Sequence, residues 1–299
     1  MESVLSIKNL TKRYGRLTAV NNLSLEVSKG QVFGILGPNG SGKTTTLGIL
    51  LDVINKTSGE FSWFGEPASK EMRKKIGAIL ETPIFYPYLS AAKNLEIVAE
   101  IKGAPKSNIE PALKKVELLD RKDDKFRTYS LGMKQRLSIA SALLCDPEVM
   151  ILDEPTNGLD PQGIAEIREL IKQIANEGKT IILASHLLDE VQKVCTHFCV
   201  LKKGNLIHVG SVDEVSKGAS SVELMADDEN IKEVLSGYDK TLKVEKEGNR
   251  YIVNLEDGVT ASDLNAFLFS KGISVSHLVT QRKSLEKQFL ELLAVSDNA

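Results

Sequence analysis

The octet Gly37-Pro38-Asn39-Gly40-Ser41-Gly42-Lys43-Thr44 follows the apolar run Gln31–Leu36 and precedes the helical stretch Thr45–Leu51. A short apolar run bounded by turn residues reads as a buried strand. Breaking such a strand into a glycine-rich turn that re-enters as a helix lets the backbone turn tightly and brings its N–H groups onto a bound anion. The spacing is G-x-x-x-x-G-K-[ST], and the strand before it and helix after it are the context that gives the spacing meaning. The loop amides and the positive end of the following helix would hold phosphate oxygens. Lys43 is placed to reach the β and γ phosphates of a nucleoside triphosphate, and Thr44 to offer Mg²⁺ a hydroxyl oxygen.

Two further apolar runs, Val149–Leu152 and Thr180–Ala184, also end in polar residues. Open α/β sheets place ligands at the carboxyl ends of their strands. The first run ends in Asp153-Glu154, a pair of carboxylates costly to bury without a cation or a water to serve. Behind a phosphate loop, Asp153 would hold Mg²⁺ through its water shell, and Glu154 would orient or deprotonate the water that attacks the γ phosphate. Leu23–Val27 and Glu60–Phe64 alternate apolar and polar, which predicts an antiparallel flank. The fold class is therefore α/β, a P-loop NTPase core with a mixed sheet.

Between about 83 and 146 strand signals vanish, and Leu113, Val116 and Leu119 follow helical spacing, so a helical insertion is expected there. The character changes again near Gly218. Domain one is thus expected over 1–217 and a small α+β domain over 218–299. In the second, Val222–Leu224, Asn230–Leu235, two strands around Glu247-Gly248-Asn249, Ala261–Phe269 and Ile273–Val279 spell the order βαββαβ of a ferredoxin-like unit. Leu285, Phe289 and Leu292 predict one last helix.

Composition narrows the function classes. Lysine and arginine number 38 against 40 aspartates and glutamates, for a formal charge of -2, which leaves no basic field to hold nucleic acid as a main partner. The start of the chain lacks a basic and apolar leader, and no run approaches the ~18 apolar residues of a membrane span. An intracellular location is expected, with any membrane role supplied by a partner. Cys145, Cys195 and Cys199 form no disulfide framework and suit packing in a reducing compartment. The segment Cys195-Thr196-His197-Phe198-Cys199 is read as packing rather than as a zinc site.

Tyr129-Ser130-Leu131-Gly132-Met133-Lys134-Gln135-Arg136 and Ala184-Ser185-His186 complete an ordered series with the two motifs above. With them the chain resembles the ATP-binding cassette (ABC) proteins, in particular the ATPase subunits of two-component exporters of the bacitracin-resistance and lantibiotic-immunity type. The resemblance covers about residues 3–216 and, more weakly, 283–292. It implies ATP and Mg²⁺ as ligands, with Tyr14 stacking on adenine and Gly37 to Thr45, including Pro38, Asn39, Gly40, Ser41, Gly42 and Thr45, around the phosphates. It implies that Ser130 and Gly132 close on the nucleotide of a second copy, that Asp160 joins the two sites across the dimer, and that His186 senses the γ phosphate. Tyr129, Leu131 and Met133 replace the first, third and fifth residues of the usual Leu-Ser-Gly-Gly-Gln. Glu81 stands where the family usually carries a glutamine near the metal and the membrane subunit, and is expected to keep that role.

The implied partners are a second copy of the chain and an integral membrane permease, which would hold the protein at the cytoplasmic face of the membrane. Phe85, Tyr86 and Tyr88 are candidates for the surface that receives the permease, with packing inside the helical insertion as the alternative. Antimicrobial peptides or drugs are the implied cargo. A soluble cassette acting as a clamp on DNA or ribosomes is the competing reading, although the chain has neither a tandem cassette nor a long coiled-coil insertion. A P-loop kinase of a small metabolite would leave Ser130, Gly132 and His186 without a purpose.

Overall fold

In the computed structural model, which describes residues 2–67, 69–80, 84–217, 221–226, 230–256 and 258–281, the chain divides into two units, Met1–Gly210 and Ser211–Ala299. The first begins with β1 (Ser3–Tyr14), β2 (Leu17–Ser28) and β3 (Val32–Leu36), followed by α1 (Lys43–Leu50), β4 (Ser58–Trp63), β5 (Glu66–Pro67), α2 (Lys70–Lys74) and β6 (Ile76–Ile79). Three helices come next, α3 (Ala91–Lys102), α4 (Ile109–Lys115) and α5 (Leu131–Leu143). Then β7 (Val149–Asp153), α6 (Pro161–Asn176), β8 (Thr180–Ser185), α7 (Leu188–Val194), β9 (His197–Lys202) and β10 (Asn205–Ser211) complete the unit, and α8 (Val212–Lys217) opens the next.

One sheet has the order β10-β9-β3-β8-β7-β6. Its β9, β3, β8, β7 and β6 run parallel. Every residue of β3, β7 and β8 is buried, the consequence of covering both faces of a parallel sheet, and this is why they read as unbroken apolar runs. Their register sets the site: Leu36 pairs with Ser185, and Asp153 with Ala184. Three carboxyl ends therefore lie side by side.

The alternating segments expected at the sheet's edge form a second sheet of their own, β2-β1-β4-β5, all antiparallel. Helix α1 shares one apolar cluster with both sheets, through Leu47, Ile49 and Leu50 against Leu5, Leu25, Ile151 and Ile182. Trp63 of β4 is fully buried, and its indole N–H donates to the carbonyl of Leu50 at 3.2 Å. A helix leaves its last carbonyls without intrahelical partners, so this bond ties the far end of α1 to the antiparallel sheet.

In the helical segment, buried Asn94 accepts from Tyr86 N–H at 2.8 Å and donates to the carbonyls of Tyr86 and Ser90, at 3.1 and 3.0 Å. One amide thereby pins the loop before α3. The spacing Leu113, Val116, Leu119 does not form one helix: α4 stops at Lys115, and Glu117 turns the chain with a φ of 57°.

The second unit contains β11 (Ser221–Ala226), α9 (Ile231–Ser236), β12 (Thr241–Glu247), β13 (Arg250–Leu255), α10 (Ala261–Ser270) and β14 (Val275–Gln281). The sheet order is β12-β13-β11-β14, antiparallel throughout, with the βαββαβ sequence of elements expected. Val222, Leu224, Val253 and Leu255 on the strands meet Ile231, Leu235, Leu264 and Leu268 on the helices in its core. Thr260 and Asp263 close a reciprocal cap at the start of α10. The last helix, read at Leu285, Phe289 and Leu292, lies outside the described residues.

Candidate functional site

The glycine-rich loop bridges β3 and α1 with no side chain capping the helix and no acidic residue in its first turn, which leaves the first-turn N–H groups facing a cleft. Two glycines are required by geometry. Gly42 has a φ of 106°, and a Cβ there would meet the carbonyl oxygen of Ala19 at 2.4 Å. A Cβ on Gly37 would meet the carbonyl oxygen of Leu201 at 2.3 Å. Lys43 is buried beneath the loop, and its ammonium donates to the carbonyl of Gly37 at 2.8 Å. The same ammonium stands 3.4 Å from the carbonyl of Pro38 and 3.2 Å from Oε1 of Glu154.

Asp153 ends β7 with no exposure to solvent. Glu154 follows with a φ of 49°, in the left-handed region that a non-glycine residue rarely adopts. Its N–H donates to the carbonyl of Ala184 at 2.9 Å, so the strained turn is held by β8. The second carboxylate oxygen, Oε2, lies 2.8 Å from Nδ1 of His186. A carboxylate only accepts, so the facing ring nitrogen carries a proton and Nε2 is left for the cleft.

Tyr14, Asn39, Gly40, Ser41, Gly42, Lys43, Thr44 and Thr45 line one cleft of about 580 Å³ together with Glu154 and His186. Tyr14 is half exposed there, and Lys12 Nζ lies 4.7 Å from its ring centroid. The structure adds Leu17, Thr18, Ala19, Asn157 and Lys203 to the lining. None carries a motif signal; Asn157 and Lys203 arrive from turns whose positions only the sheet order reveals.

Ser130, Gly132 and Asp160 line a different cleft of about 410 Å³, which shares no residue with the first. Ser130 caps α5, accepting from Met133 N–H at 3.2 Å, and Asp160 caps α6, accepting from Gly163 N–H at 2.9 Å. Glu81 lies outside the described residues. Cys195 and Cys199 are buried, and burial pushes both thiols up, that of Cys199 to about 12. Both therefore stay protonated at neutral pH.

Residues 20–157 match the family described as ABC transporter. The bacitracin transport ATP-binding protein BcrA of Enterococcus faecalis is 37% identical, over 98% of this chain and 97% of its own. The lantibiotic transport ATP-binding protein SrtF of Streptococcus pyogenes is 43% identical, over 68% of this chain and 89% of its own. A dimeric post-hydrolysis structure of the ATP-binding cassette MJ0796 with ADP and Pi matches with a TM-score of 0.62 at 28% identity, over 70% of this chain and 98% of that one. The chain belongs to the ABC transporter family and is one of its nucleotide-binding, ATP-hydrolysing subunits, homologous to the ATPase subunits of bacitracin and lantibiotic transporters.

Proposed function

We propose that two copies of this chain close on two ATP molecules and thereby drive an integral membrane permease that exports antimicrobial peptides or drugs. One observation carries the reading. The phosphate loop, Glu154 and His186 line one cleft, while Ser130, Gly132 and Asp160 line another with no residue in common. A single copy thus holds two half-sites built from different residues, and a two-fold pair of copies supplies each half with its complement.

Within each site the loop amides and Lys43 hold the phosphates, and Tyr14 offers its ring to the base. Glu154 takes the proton of the attacking water, and His186, with its Nδ1–H towards Glu154, turns Nε2 to the γ phosphate and donates to it when that nitrogen also carries a proton. Ser130 and Gly132 of the second copy cover the opposite side of that phosphate, and Asp160 links the two sites. The donor set fits Mg²⁺: Thr44 and Asp153 are hard oxygen donors, one at the open helix start and one buried at the strand end, with Glu81 proposed from the sequence as a further oxygen. When bound, Mg²⁺ neutralises phosphate charge as it develops.

The permease is proposed to seat a cytoplasmic helix on the groove of about 450 Å³ that Val53, Leu80, Ile84, Phe85 and Val98 help to line. Ile84 is 90% exposed, and Tyr86 and Tyr88 stand exposed beside it, whereas Phe85 also packs edge-on against Phe126. No helix among the described residues is long and apolar enough to cross a membrane. The chain is accordingly proposed to sit at the cytoplasmic face through that partner.

Complementation between two inactive variants tests the shared site. Lys43→Ala disables the phosphate half. Gly132→Asp disables the other half without disturbing its own fold, because the nearest atom to an added Cβ is Leu159 Cδ2 at 4.0 Å and an acid suits a helix's first turn. Each variant alone is expected to lose ATPase activity. Random pairing of the mixture should restore about a quarter of it, since half the dimers are mixed and each has one whole site. No recovery on mixing, with each variant shown to be folded by circular dichroism, would overturn the two-copy site.

A further inference from the structure

Glu190, on α7, is 1% exposed and has no part in the cleft just described. Its Oε2 accepts the hydroxyl proton of Ser185 at 2.5 Å, and its Oε1 is buried without a hydrogen-bond partner. Burial pushes its carboxyl up, against the pull of the Ser185 hydroxyl and of Arg168. A buried carboxyl so placed is costly unless the geometry it fixes is needed.

What it fixes is the turn that carries His186. The Ser185 hydroxyl accepts the N–H of Leu187 at 3.0 Å while it donates to Glu190, so the carboxylate selects the one rotamer in which both bonds form. Ser185 also accepts from Gly37 N–H through its carbonyl at 3.3 Å, which ties the same residue to the phosphate loop. His186 is strung between Ser185 and Leu187, and its ring meets Glu154 at 2.8 Å. Asp189, one residue before Glu190, accepts from Arg168 of α6 at 2.8 Å, which fixes α7 from its outer side.

We infer that Glu190 is a positioning residue for hydrolysis: through the Ser185 hydroxyl it sets the turn that aims His186 at Glu154 and the cleft. The inference rests on the proposed role of His186, although the turn and its hydrogen bonds stand apart from that role. Glutamine at 190 keeps the volume and an acceptor oxygen for the Ser185 hydroxyl. Alanine removes the acceptor and lets the hydroxyl rotate away from Leu187.

The test measures steady-state ATPase, ATP affinity and the ¹⁵N resonances of His186, assigned by their loss in His186→Gln, on the full chain. Glu190→Ala should lower kcat on the order of 10²-fold, as a displaced catalytic group does, with ATP affinity within about twofold. The His186 resonances should shift in Glu190→Ala and hold their wild-type positions in Glu190→Gln. Ser185→Ala should repeat the alanine result, and it serves in place of Glu190→Ala if that variant does not fold. Unmoved His186 resonances in Glu190→Ala or Ser185→Ala, whatever the rate, would overturn the inference. Full activity of His186→Gln would instead remove His186 from hydrolysis while leaving the resonance test of Glu190 in force.

Discussion

His186 Nδ1 lies 2.8 Å from Oε2 of Glu154, and Glu154 reaches that contact from a left-handed φ of 49°. A carboxylate held by an imidazole on one oxygen and by Lys43 on the other is oriented before any substrate arrives. Its environment also dictates what a neutral replacement does. Glutamine keeps the shape and can still meet His186, but it accepts no proton from water.

Glu154→Gln is therefore expected to bind ATP with affinity near that of the wild type and to hydrolyse it on the order of 10²- to 10⁴-fold more slowly, the usual worth of a positioned base. With the substrate trapped, the dimer should accumulate in size-exclusion chromatography with ATP. Steady-state turnover at the wild-type rate would show that another group activates the water.

Lys43 and Glu154 are both less than a tenth exposed at 3.2 Å separation, so each is the other's buried counter-charge. Removing one member of such a pair leaves an uncompensated charge and costs about 3–5 kcal/mol. Lys43→Ala should then lose stability as well as nucleotide binding, and Lys43→Ala combined with Glu154→Gln should recover most of the stability but none of the binding. Urea unfolding of Lys43→Ala, Glu154→Gln and the double variant decides it; a loss in the double variant equal to the sum of the two single losses would mean the pair does not couple.

The glycine-rich loop, Asp153-Glu154 and the buried strands were legible in the sequence because each is local: a fixed spacing, or an apolar run whose burial on both faces needs no partner to be recognised. Strand β1 escaped detection for a physical reason. Its pairing with β2 shifts register between Ile7 and Leu10 and again around Lys12, with Asn9 at a φ of 51°, and those bulges break the alternation that marks a strand. Strand β6 is four residues long, and its Gly77 is imposed by distant chain, since a Cβ there would meet the carbonyl of Ala142 at 2.5 Å. Glu190 carries no motif signal, because only the fold turns that face of α7 onto Ser185. That Ser130 and Gly132 stand in a different cleft from the phosphate loop is tertiary information, beyond the reach of any spacing.

Trp63 offers a test of how the antiparallel sheet supports the phosphate loop from behind. Trp63→Phe keeps most of the buried area but removes the donor to the carbonyl of Leu50, the last residue of α1. The loss should be about 1–3 kcal/mol, the cost of an unsatisfied buried acceptor with a smaller ring. Nucleotide affinity should fall little, because the bond is at the opposite end of α1 from the loop. A variant as stable as the wild type would show that the Leu50 carbonyl finds another donor.

The pH dependence of stability follows from Glu190. Arg168 of α6, Glu154 beyond β7, His186 and Cys195 are the titratable and charged groups around it, and burial outweighs the cations in pushing its carboxyl above 4.5. The folded state therefore holds this proton more tightly than the unfolded chain does. Its contribution to stability is fully present below the unfolded value of 4.5 and is lost as pH rises through the higher folded value. Glutamine at 190 has no proton to lose. The unfolding free energy of Glu190→Gln relative to wild type should thus climb as pH rises above 4.5, and level off once Glu190 is ionised in both states. Urea midpoints taken across that range measure it directly. A relative stability that instead falls with rising pH would mean that Arg168 and the Ser185 hydroxyl outweigh burial, and that Glu190 is already ionised in the fold at acid pH.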